Sequence, residues 1–204
     1  MTPTALQIID ALGVLAFALS GLMTARRYDM DIVGLFVVAF ATAFGGGTLR
    51  DLLLDRTPLF WIEHDWYAMA VLALTVAFTL IPATGRVSEK ALLVADAVGL
   101  GLFAVAGAGF SVAAGTSVFI AALMGMITGT FGGVIRDVLC NEVPSLFKQS
   151  PLYATCAFAG ALIYLGFIEL SVPAAAATWI ATVFTALFRL AAVKWNWVLP
   201  VPRH

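Results

Sequence analysis

Residues 10–60 of this chain recur without a gap 86 positions later, at 96–146, and thirteen of the 51 aligned positions are identical. Asp10 matches Asp96, Gly13 matches Gly99, Phe17 matches Phe103 and Gly21 matches Gly107. Further on, Thr42 matches Thr128, Gly46-Gly47 matches Gly132-Gly133, Arg50-Asp51 matches Arg136-Asp137 and Pro58 matches Pro144. Drift does not spare glycines and charges while rewriting the Leu, Ala and Val between them. The chain therefore reads as a duplicated unit whose glycines and charges do the same job twice.

Composition names the solvent. Of the 204 residues, 62% are hydrophobic and 11% charged, and the mean hydropathy is +1.00. A water-soluble domain of this size cannot cover so much apolar surface, so a multi-pass protein of the cell inner membrane is expected. The net charge of −1 and the absence of any Lys/Arg cluster argue against nucleic acid as a partner. Cys140 and Cys156 lie at the end of one apolar run and inside the next, where they read as small buried hydrophobes rather than a disulfide framework. No Lys or Arg precedes the first apolar run, so no secretory signal is expected.

Seven apolar runs, 5–25, 31–54, 62–82, 91–113, 117–140, 151–170 and 174–195, are long enough to cross a hydrocarbon core of about 30 Å. They are continuous rather than alternating, which excludes barrel strands. Their breaks carry turn residues such as Arg26-Arg27-Tyr28-Asp29, Asp55-Arg56-Thr57-Pro58 and Ser171-Val172-Pro173. Trp61, Trp66 and Tyr67 flank the third run, and Trp195 and Trp197 close the seventh, as interfacial aromatics do. The 86-residue offset lays spans one to three on spans four to six and leaves the seventh alone. Three is odd, so the second copy enters from the opposite side and a pseudo-two-fold axis lies in the membrane plane, the plan of a transporter or channel. The expected fold is an all-α membrane protein with two inverted three-helix repeats, residues 1–90 and 91–172, followed by a seventh helix and tail, 173–204. One side holds Arg26, Arg27, Arg86, Lys90, Lys148, Lys194 and Arg203, and the other only Arg56, which puts the N-terminus outside and the C-terminus in the cytoplasm.

Gly45-Gly46-Gly47 and Gly132-Gly133 fall inside the second and fifth spans. A glycine costs a helix about 1 kcal/mol relative to alanine. Its use is either a kink or unwound turn that frees backbone groups for a polar solute, or close approach of two helices. Asp10, Arg50 and Asp51 share the outer half of the membrane under this topology, and Asp96, Arg136 and Asp137 the inner half. Such charges face an interior or a wet cavity. Matched depth pairs Asp10 with Arg50 and Asp96 with Arg136, either to clamp helices or to line a path. Arg50 and Asp51 are sequence neighbours on different helix faces and are expected to be poor partners for each other. Thr42, Thr48, Thr128 and Thr130 bracket the glycines, with Ser20 at the same depth. Their hydroxyls can meet cations or water, or bond back to their own helices.

No enzyme signature is found. His64 and His204 lack clustered partners, there is no phosphate loop or nucleophilic serine motif, and Gly99-Leu100-Gly101 lacks the strand and further glycine of a dinucleotide site. No cofactor and no tightly bound metal is expected.

The segments Phe44-Gly45-Gly46-Gly47-Thr48-Leu49-Arg50-Asp51 and Phe131-Gly132-Gly133-Val134-Ile135-Arg136-Asp137 resemble the paired motifs of the bacterial trimeric intracellular cation (TRIC) channel family, whose members are also labelled glycine-transporter-domain proteins. The likeness extends over nearly the whole chain. It implies a homotrimer in membrane lipid, one pore per protomer lined by kinked second and fifth helices, and potassium as a transient, principal permeant. The Lys-Glu-Val motif of animal members is represented only by Asn141-Glu142-Val143, without the lysine. Two functions fit an inverted repeat: a monovalent cation channel, or a secondary transporter of a small neutral solute such as glycine.

Overall fold

A computed structural model describes residues 3–81, 88–149 and 151–200, with side chains from residue 7 onward. It is helical, and no strand occurs among the described residues. In chain order the helices are α1 (Pro3–Arg27), α2 (Ile32–Leu53), the single turn α3 (Phe60–Glu63), α4 (Trp66–Leu80), α5 (Glu89–Ala113), α6 (Val118–Leu139), α7 (Ala154–Glu169) and α8 (Ala174–Lys194). Five of them, α1, α2, α5, α6 and α8, are long and apolar enough to cross a membrane. The third and sixth apolar runs are shorter as helices: α4 has 15 residues and α7 has 16, covering about 22–24 Å. The third run begins instead in the single turn α3, and the sixth begins with the non-helical residues before Ala154.

The turns recur where residue identity has been lost. Asp31 caps the start of α2 by accepting a hydrogen bond from the Gly34 amide at 2.8 Å, and Ser117, 86 positions on, caps α6 by accepting from the Ile120 amide at 3.4 Å. Left-handed backbone closes α1 at Asp29 (φ 51°) and α5 at Gly115 (φ 79°), and it recurs after α2 at Asp55 (φ 51°) and after α6 at Asn141 (φ 58°). Asp, Asn and Gly are the residues that tolerate this conformation. The same backbone geometry thus stands 86 positions apart on different residues.

Helices α1, α2 and α4 pack on one another, as do α5, α6 and α7, and the two groups meet through α1 on α5 and α2 on α6. Helix α8 packs on α5 and α7. The shared core is filled by Phe17 and Phe103, equivalent residues whose rings lie 5.2 Å apart. Their contacts are reciprocal: a Cβ on Gly13 would meet the Phe103 ring and one on Gly99 would strike the Phe17 ring. Outward faces are apolar instead, with Met69, Leu72 and Leu80 of α4 and Trp179, Ile180 and Leu187 of α8 exposed. An apolar surface around a tight small-residue interior is what lipid selects. Cys140 and Cys156 are both free and buried.

Candidate functional site

The charges expected in the two halves form two separate clusters. In the first, Arg50 is fully buried and donates from Nη1 to Asp10 Oδ1 at 2.8 Å and from Nε to Asp51 Oδ1 at 2.9 Å. Asp51 also accepts from Arg56 Nη1 at 2.8 Å and from the Phe60 amide at 2.9 Å. The remaining Arg50 nitrogen, Nη2, has no hydrogen-bond partner among the described residues; its guanidinium lies on the Phe110 ring at 4.2 Å, with Phe60 at 5.2 Å. In the second cluster Arg136 donates from Nη1 to Asp96 Oδ1 at 2.6 Å and to Ser20 Oγ at 2.7 Å. It also reaches Asp137 from Nε at 3.0 Å and from Nη2 at 2.8 Å, while Asp137 accepts from the Ser145 amide at 3.0 Å and hydroxyl at 2.9 Å.

Both pairs read from matched depth, Asp10 with Arg50 and Asp96 with Arg136, are present. The expectation that Arg50 and Asp51 are poor partners is overturned, and so is its counterpart at Arg136 and Asp137. Both arginines lie in the last turn of a helix, so the long guanidinium folds onto the neighbouring carboxylate, which the next segment holds in place through Phe60 or Ser145. A burial this complete favours charge-assisted pairs over stranded ions.

The clusters sit at opposite ends of the helices. Asp10 and Ser20 are ten residues apart on α1, about 15 Å along its axis, and lie in the first and second clusters respectively. Helix α5 runs the other way, from Asp96 in the second cluster to Phe110 at the first. Likewise α2 ends in the first cluster and α6 in the second.

Between the clusters α2 crosses α6 at the glycines. A Cβ on Gly46 would collide with the Thr128 carbonyl oxygen, and one on Gly132 with the Thr42 carbonyl oxygen, again reciprocally. Gly45 faces Ile135, Gly47 faces the Phe60 ring, and Gly133 faces the Tyr153 hydroxyl, 2.7 Å from a built Cβ. Helical structure runs unbroken through both glycine segments, so no turn is unwound there. Close backbone approach is the geometric need the glycines meet. The threonines are divided. Thr42 bonds back to the Val38 carbonyl at 2.6 Å, Thr128 to Met124 at 2.7 Å and Thr130 to Met126 at 2.8 Å, whereas Thr48 accepts from Trp61 Nε1 at 2.9 Å. Their backbone carbonyls, not their hydroxyls, shape the crossing.

Each cluster borders a cavity. One of about 190 Å³ is lined by Asp10, Arg56, Phe60, His64, Tyr67 and Phe110. The other, about 280 Å³, is lined by Ser145, Lys148, Tyr153 and Thr155 among others. Beyond the second cluster, Tyr28 donates to Glu142 at 2.9 Å and Lys148 lies 3.2 Å from the same carboxylate; these two bonds hold the Glu142 carboxyl below its usual range. No grouping of His, Cys, Asp and Glu suited to a metal occurs among the described residues. Sequence reading missed Phe110, which faces Arg50 but matches Thr24 in the other copy and so left no repeat signal. Arg189, inside the seventh apolar run, has no counterpart at the 86-residue offset and left no such signal either.

A family model described as "Glycine transporter" matches the chain twice, at residues 7–83 and 93–169, the second match displaced from the first by the same 86 positions. The UPF0126 inner membrane protein YadS of Escherichia coli K12 is 37% identical over 194 residues, covering 94% of this chain and 93% of that protein. A UPF0126 membrane protein of Vibrio cholerae is 38% identical over 198 residues, covering 96% and 82%. The TRIC trimeric intracellular cation channel orthologue from Rhodobacter sphaeroides superposes with a TM-score of 0.88 at 36% identity, covering 95% of this chain and 100% of that one. The chain belongs to the TRIC family. The TRIC family is one of membrane channels and transporters, not of enzymes, and this member is a multi-pass inner-membrane protein.

Proposed function

We propose that this TRIC-family protein is a monovalent cation channel, potassium its main permeant, with one path per protomer along the seam of α2 and α6. The observation that carries the reading is the pair of cavities at the two clusters, which stand at opposite ends of the helices with the glycine crossing at intermediate depth. A path between them is closed where backbone meets backbone, and bending of α2 and α6 at Gly45–Gly47 and Gly132–Gly133 opens it. The opposite directions of α1 and α5, and of α2 and α6, support two inverted three-helix copies with α4 and α7 as the third span of each. Reciprocal contacts at Phe17/Phe103 and Gly46/Gly132 support a two-fold relation between them, as an isologous contact requires. The neighbour at 36% identity is described as a trimeric cation channel, which supports a homotrimer and favours conduction over coupled uptake.

In a planar bilayer with asymmetric KCl, the purified protein is expected to give unitary current steps reversing near the potassium equilibrium potential. Saturable, stoichiometric glycine uptake in liposomes with no unitary currents would overturn the channel reading. The topology has its own test. A reporter fused after residue 204 should be cytoplasmic and one within 55–65 outside, and finding both on one side sinks the inverted arrangement.

A further inference from the structure

The two clusters are not equal in charge. The first sets Arg50 and Arg56 against Asp10 and Asp51 and balances. In the second, the position equivalent to Arg56 is Glu142, which leaves the cluster for Tyr28 and Lys148, so Arg136 alone faces Asp96 and Asp137. Arg189, on the unrepeated α8, has the opposite problem. It is buried, and among the described residues no carboxylate pairs with it; it donates to the carbonyls of Pro151 at 2.9 Å and Leu152 at 3.0 Å. Its guanidinium stacks on the Tyr153 ring at 4.8 Å, and its Nε has no hydrogen-bond partner among the described residues. Tyr153 in turn reaches the second cluster. A Cβ built on Gly133 would lie 2.7 Å from the Tyr153 hydroxyl and 3.7 Å from Arg136 Nη2. That hydroxyl is itself buried, with no hydrogen-bond partner among the described residues.

We infer that Arg189 is the charge-balancing residue of the second cluster, replacing from α8 the arginine that the first copy carries at 56, and that it sets how tightly this end of the path holds a monovalent cation. The inference rests on the channel reading. An apolar-walled site with one excess carboxylate retains a cation, whereas a balanced one lets it pass. The balance acts through Tyr153, whose ring carries Arg189 on one face while its hydroxyl borders the cluster. This also gives α8 a task that explains its packing on α5 and α7 of the second copy.

The test is the concentration dependence of unitary conductance in symmetrical KCl. Arg189→Gln should lower the half-saturating potassium concentration roughly tenfold, as one uncompensated charge nearby implies. Arg189→Lys should stay near the parent, and so should Lys194→Gln, which removes a charge from the exposed end of the same helix. The sharper test restores the repeat. Position 142 has the backbone setting of position 56, its amide bonding to the Asp137 carbonyl at 2.8 Å as that of Arg56 does to Asp51 at 2.8 Å. Glu142→Arg with Lys148→Gln, which removes the cation Glu142 had paired, should therefore recover the parent curve when combined with Arg189→Gln. If the single variant fails to assemble, assembly of the triple variant supports the balance and failure of both overturns it. A parent protein that conducts, with Arg189→Gln saturating at the same concentration, overturns the inference and leaves the channel reading standing. A parent that does not conduct removes the channel reading itself.

Discussion

Arg50→Ala is expected to destabilise the protein by about 3–5 kcal/mol, measured by denaturant unfolding in detergent, because it strands a buried carboxylate. The stranded group is Asp10, whose described ion pair is with Arg50 alone. Asp51 is less affected, since it keeps Arg56 and the Phe60 amide. Adding Asp10→Ala should therefore return part of the loss, so that the double variant is more stable than Arg50→Ala alone. A double-mutant cycle should give a coupling of about 2–3 kcal/mol. Simple additivity would mean that the 2.8 Å contact carries no net energy. The second cluster should respond more weakly to Asp96→Ala, since Arg136 would retain Ser20 and Asp137.

The second large effect is expected at the helix crossing. Gly46→Ala and Gly132→Ala each add a methyl group where a carbonyl oxygen of the opposing helix already sits. Backbone cannot swing aside as a side chain does, so each should cost about 1–3 kcal/mol in thermal or denaturant unfolding. Gly46→Leu should abolish unitary currents as well, by forcing α2 and α6 apart and filling the seam. The comparison is Gly166→Ala in α7, where a Cβ meets nothing within 4 Å. That change should be neutral or stabilise by up to about 1 kcal/mol through helix propensity. A Gly46→Leu protein that assembles with unchanged unitary current would reduce these glycines to packing residues without a part in conduction.

What could be read before any coordinates was the part of the sequence that recurs at the 86-residue offset. Identical Asp, Gly, Arg and Asp at that offset suggested two copies, and their places in the apolar runs suggested charges at matching depth. Depth was enough to pair Asp10 with Arg50 and Asp96 with Arg136, because a charge within lipid must find its partner at its own level. The same logic failed at Arg50 and Asp51. Helical-face geometry describes positions along a continuing helix, and these residues stand where the helix ends and the next segment, through Phe60 or Ser145, fixes the carboxylate.

The chain by itself determined which residues had to be buried together, because hydropathy, repeat and charge are properties of the linear order. Tertiary structure decided between the uses the sequence left open for the glycines: the helices stay continuous there and press backbone to backbone, since at Gly46 and Gly132 a neighbouring carbonyl occupies the space a Cβ would need. It also decided the fate of groups without a counterpart. Phe110 became the aromatic face on Arg50, and Arg189 came to lie behind Tyr153 beside the second cluster. Both contacts join residues from opposite copies or from the unrepeated helix. Such contacts arise only when separate helices pack, and no local pattern in the sequence records them.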